Sequence, residues 1–117
     1  MLNYIDFNGE QTPILFGNAA FYNYEKKNNT SAFADFVASS PVDENGNFDY
    51  TKLKIAFYVD ISHAAFVAGG TKVKKPFAFD VSDVAEWLTF EKLPEIIDLF
   101  TGSLPMPEKE GEVKAAK

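Results

Sequence analysis

The sequence predicts a mainly helical α+β fold: one N-terminal β-hairpin packed on a bundle of about four to five helices, with a long central helix. Three observations point there. Asn8-Gly9 separates two short apolar segments, and Asn-Gly favours a tight hairpin because both central positions accept positive φ. From Tyr50 to Ala68, apolar residues fall on most sides of a helix, as expected for one surrounded by neighbours. Between Phe79 and Phe100, FDVSDVAEWLTFEKLPEIIDLF reads as two capped helices around a break.

The elements follow in order. Residues 2–16 form the hairpin, with LNYIDF outward and TPILF returning; Pro13 lacks an N–H and suits an edge. Asn18 is placed to cap a helix from Ala19 to Lys27, with Ala20, Phe21 and Tyr24 on one face. Thr30 or Ser31 caps a second helix to Ala38, whose apolar stripe is Phe33, Phe36 and Val37. Pro41 and Asn45-Gly46 break regular structure in SSPVDENGNFD.

In the central helix, Leu53, Phe57, Ile61, Ala64 and Ala68 share one face, while Ile55, Val59 and Phe66 share another. Gly69-Gly70 is read as its stop, followed by an exposed loop, TKVKKP. Asp80 then caps a helix carrying Val81, Val84, Ala85 and Leu88, with Asp83 near its positive end and Phe79–Val84 as a staple. After Thr89-Phe90, Pro94 suits the first turn of a last helix whose inner face is Leu93, Ile97, Phe100 and Leu104. Residues 1–105 are thus expected to be one globular domain, and the charged residues 106–117 a mobile tail.

Composition narrows the function. The 117 residues are 46 % apolar with twelve phenylalanines, enough for a real core, and include no cysteine, which removes disulfides and thiol chemistry. Net charge is −6, and all eleven basic residues are lysines, a poor footprint for nucleic acid. No segment nears the ~20 apolar residues of a membrane span, and MLNYIDFNGE lacks the pattern of a signal peptide. Neither nucleic acid nor membrane is an expected partner.

Catalytic signals are missing as well. His63 is the only histidine, and on a helix it points about 100° away from Ser62, so the two cannot pair. Asp60 precedes it by three positions without further metal ligands nearby. DENGNFD fails the calcium-loop spacing and reads as a turn. No catalytic, metal or cofactor residue is expected. The six acids between Asp80 and Asp98, opposed only by Lys92, suit either a solvated helical face or a surface that steers a basic helical partner.

Taken in order, IDFNGEQTPILFGNAAFYNYEKKNN, FAFDVSDVAEWL and LPEIIDLFTGSLP resemble the tail assembly chaperones of long-tailed (siphovirus-type) bacteriophages, over most of residues 3–105. The acidic loop 42–49 and the absence of Arg have no counterpart in that pattern. The resemblance implies a protein without catalysis that binds the tape-measure protein, keeps it soluble and helps recruit tail-tube subunits. It implies a place in the host cytoplasm and absence from the mature virion. Self-association is a further expectation, since exposed apolar patches invite it. On this reading Trp87, Phe90, Ile96 and Phe100 are candidates for a partner-binding seam, provided they are exposed rather than core. The competing class is a structural virion component, such as a small neck or tail-completion protein.

Overall fold

A computed structural model describes residues 2–41, 45–47 and 49–103. Two antiparallel strands, β1 (Leu2–Phe7) and β2 (Glu10–Leu15), are joined by Asn8-Gly9 at φ 54° and 92°, the conformation of a type I′ turn. The register pairs Phe7 with Glu10, Ile5 with Thr12 and Tyr4 with Pro13. Because the residues flanking a two-residue turn form the hydrogen-bonded pair, Tyr4 and Pro13 fall at a non-hydrogen-bonded position. Proline's missing N–H therefore costs the ladder nothing. Ile5 and Phe7 turn inward, and Tyr4 turns to solvent.

Five helices follow: α1 (Asn18–Asn28), α2 (Ala32–Ser39), α3 (Ile55–Lys72), α4 (Val81–Trp87) and α5 (Leu93–Gly102). The architecture is α+β and mainly helical, with α3 the long helix. Phe21 N–H bonds the Gly17 carbonyl at 3.0 Å, so α1 begins one residue early and Gly17, not Asn18, is its cap. Ser31 caps α2 by accepting from Ala34 N–H, while Thr30 donates to Asp35 instead. Asp80 and Asp83 close a reciprocal capping box on α4, each accepting the other's backbone N–H at 3.0 Å.

The central helix differs from its expected span at both ends. Asp49 Oδ1 accepts both the N–H and the hydroxyl of Thr51, folding Tyr50–Lys52 into a separate 3-10 turn. Lys54 then has an extended backbone, so α3 starts only at Ile55. Nor do Gly69 and Gly70 end it. A Cβ on Gly69 would stand 2.7 Å from the Pro13 carbonyl, and one on Gly70 would stand 2.7 Å from the Lys75 carbonyl oxygen. These glycines admit close backbone approach, and the helix continues through Thr71 and Lys72, which the sequence placed in a loop. It stops in a Schellman arrangement with Lys74 at φ 61°: Lys75 N–H bonds the Gly70 carbonyl at 2.8 Å, and Lys74 N–H bonds that of Thr71 at 3.2 Å.

Two aromatic clusters sit along α3. Toward its C-terminal half, Phe7 lies 5.0–5.4 Å from the rings of Phe66, Phe77, Phe79 and Trp87. Near its start, Phe57 and Phe36 meet Phe100, which also touches Phe16 and Phe21. Phe57 and Phe66 are nine residues apart, about 13 Å along the axis, so one helix serves as spine for both clusters. Polar ties fix the rest: Trp87 Nε1–H donates to the Asp6 carbonyl, and the Tyr58 hydroxyl to that of Ser39. Leu104, Pro105 and the 106–117 tail lie outside the described residues.

Candidate functional site

The break between α4 and α5 is tightly closed along its backbone. Leu88 N–H bonds the Val84 carbonyl, and the Lys92 and Leu93 N–H groups both bond that of Thr89. This turn holds Leu88 and Leu93 inward and leaves Phe90 outside, 64 % exposed. Ile55, 42 % exposed, stands at the first position of α3, beyond the reach of the core. Together Ile55, Leu88, Thr89, Phe90 and Leu93 line a groove of about 400 Å³. Among the described residues that line it, the only polar side chain is Thr89, with its hydroxyl. Such a lining receives apolar side chains and offers no group to move a proton or hold a metal.

Of the four residues expected in a partner seam, only Phe90 reaches the surface. Trp87, Ile96 and Phe100 are 5 %, 0 % and 1 % exposed and belong to the core. The reason lies in the helix phases: Trp87 packs on Phe7 and Phe66, and Phe100 on Phe36 and Phe57, while Ile96 shares their buried side of α5 with Leu93. Ile97, expected inside, is only half-buried, and Ala85 is exposed. Sequence reasoning missed Ile55 as a groove residue because it ran the central helix back to Tyr50; Leu93, read as inward, is buried and also lines the groove. The Asp49-x-Thr51 turn signal would have moved the helix start and exposed Ile55.

A second apolar face lies on α2. Phe33 and Val37, read from the sequence as an inward stripe, are outward, Val37 at 75 % exposure; Ala32 and Ser39 are the buried positions. The polar side of this helix is occupied: Asp35 accepts from the Tyr24 and Thr30 hydroxyls, and Ala32 N–H bonds Glu25. Those hydroxyls, Thr30 first, hold the Asp35 carboxyl below the usual carboxylate range. Burial, then the bond to Asp35, pushes the Tyr24 hydroxyl up.

The residues considered for chemistry do not converge. Ser62 is fully buried, and its hydroxyl has no hydrogen-bond partner among the described residues. His63 points elsewhere, its Nε2–H donating to the Phe79 carbonyl at 3.0 Å, and so pins the extended segment after α3. Asp60 lies 3.7 Å from Lys27. Among the described residues no group of three or more acidic, His or Cys side chains could hold a metal ion, and no helix is long and apolar enough to cross a membrane. No family model, no curated protein and no solved structure matches the chain.

Proposed function

We propose that this chain is a non-enzymatic tail assembly chaperone of a long-tailed bacteriophage. It holds the tape-measure protein in the host cytoplasm and helps recruit tail-tube subunits along it. The observation that carries this reading is the groove at Phe90: an exposed apolar surface between α4 and α5, whose described lining holds no ionisable group. A very long helical protein awaiting its tube exposes apolar stripes. A surface that shields them must accept side chains while staying solvated around its rim, as in helix-in-groove recognition. The ordered likeness of the hairpin, the DVAEWL helix and the LPEIIDLF helix to that family supports the same reading.

The test is a tagged pull-down from cells producing the phage, with mass spectrometry of the eluate and of purified virions. Recovery of one very long helical protein from cells, with this chain missing from virions, is the expected result. Stoichiometric presence in virions would replace the proposal with a structural role in the particle.

A further inference from the structure

The groove's occupant can be narrowed from its own chemistry. Part of the turn's backbone is already engaged: the Thr89 carbonyl accepts two N–H groups and Leu88 N–H is spent on Val84. A strand adding to this site would find few groups to pair with. Small-molecule sites use several convergent polar groups to fix orientation, and here there is one hydroxyl. Side-chain insertion from a helix remains.

Charge sets the flanks of that helix. Glu91 follows Phe90 directly, and Glu86 on α4 and Glu95 and Asp98 on α5 are exposed as well. Between Asp80 and Asp98 six acids face a single lysine, Lys92. Lys92 lies over the Trp87 ring, its Nζ 5.2 Å from the centroid, and Lys54 lines a separate polar groove with Asp35 and Asp60.

We infer that the groove of Ile55, Leu88, Phe90 and Leu93 binds an amphipathic helix whose apolar stripe is flanked by Lys or Arg. The inference rests on the chaperone reading for the natural source of that helix, and it gives the held segment a chemistry. Phe90 and Ile55 insert beside the stripe, while the exposed acids of the α4–α5 segment attract its basic flanks.

The test uses two labelled synthetic peptides of about five helical turns. They share one leucine stripe at i, i+3, i+4 and i+7, flanked by lysines in one and by glutamates in the other. Fluorescence anisotropy with the full chain is expected to show saturable binding of the lysine peptide, weakening with salt, and no binding of the glutamate peptide. Phe90→Ala is expected to weaken binding at least about tenfold. Glu91→Lys with Glu95→Lys is expected to weaken it and remove the salt dependence. These residues are exposed, and circular dichroism would check that each variant keeps its fold. Equal binding of both peptides, unchanged affinity in Phe90→Ala, or sedimentation as a dimer that Phe90→Ala dissolves would overturn the inference. A lysine-peptide failure beside a successful pull-down removes only the site assignment; peptide binding beside a failed pull-down removes only the phage role.

Discussion

Gly69 of α3 lies directly against Pro13 of β2, so closely that a Cβ at Gly69 would stand 2.7 Å from both the carbonyl carbon and oxygen of Pro13 and 2.8 Å from the Ile14 nitrogen. All three are backbone atoms, which cannot swing aside as a side chain would. Gly69→Ala is therefore expected to destabilise the fold by about 1–3 kcal/mol, although alanine is the better helix former. Gly102→Ala, with nothing among the described residues within 4 Å of the new Cβ, is the matched control. Urea unfolding of both would check this; a Gly69→Ala variant as stable as the parent would show that hairpin and helix do not touch there.

Lys74 adopts a left-handed conformation at the position after α3 where glycine is the usual residue. Its Cβ carries a conformational cost that glycine does not. Lys74→Gly is expected to stabilise the chain by roughly 0.5–1 kcal/mol, read as a higher urea midpoint at unchanged slope.

The Ser62 hydroxyl is buried without a partner in the middle of α3. Removing it relieves a desolvated polar group and improves helix propensity, so Ser62→Ala is expected to raise stability by about 1 kcal/mol. A clear loss on thermal melting would mean that the hydroxyl has a partner after all.

Burial pushes the Tyr58 hydroxyl up to about 12, and Tyr24 is raised as well. A folded-state pKa above the unfolded one favours the protonated form. The associated stability is complete below about pH 10, the unfolded value, and falls away as pH rises toward 12. Urea midpoints from pH 8 to 11.5 are expected to be flat and then drop. In Tyr58→Phe the drop is smaller, with a lower plateau because the Ser39 carbonyl loses its donor.

Asp35 behaves in the opposite sense. Its folded pKa is depressed, first by the Thr30 hydroxyl and then by that of Tyr24, so its contribution is present above the usual carboxylate pKa and lost as pH falls through the folded value. Asp35→Asn is expected to flatten the acid limb of the stability profile. An unchanged limb would show that these hydroxyls do not favour the charged carboxylate.

Local chemistry made much of this fold readable. The Asn8-Gly9 turn and the Asp80 cap are devices whose residues act within four positions of each other, and both appear where the sequence put them; the reciprocal bond from Asp83 went unread. What failed depended on distant neighbours. Gly69-Gly70 looks like a helix stop locally, and only the approach of β2, more than fifty residues earlier, explains why the helix runs on. The same holds for the candidate site. Phe90 was legible because it sits in a break, whereas the inwardness of Trp87 depends on Phe7 and Asp6, about eighty residues away. Phe33 and Val37 have a helical stripe's spacing, but α1 and α3 present the eight-residue α2 with Ala32 and Ser39 instead.

Seating the hairpin on the glycines of α3 also imposes a schedule during translation. Residues 2–16 leave the ribosome before α3, yet the surface that buries Ile5, Phe7 and Ile14 includes that helix, which ends at Lys72. At ordinary elongation rates those apolar side chains and both strand edges wait uncovered for several seconds or more, on the order of 3–11 s. The newborn chain thus passes through a short period in which it carries the same liability, an unshielded apolar segment, that its finished form is proposed to relieve in another protein.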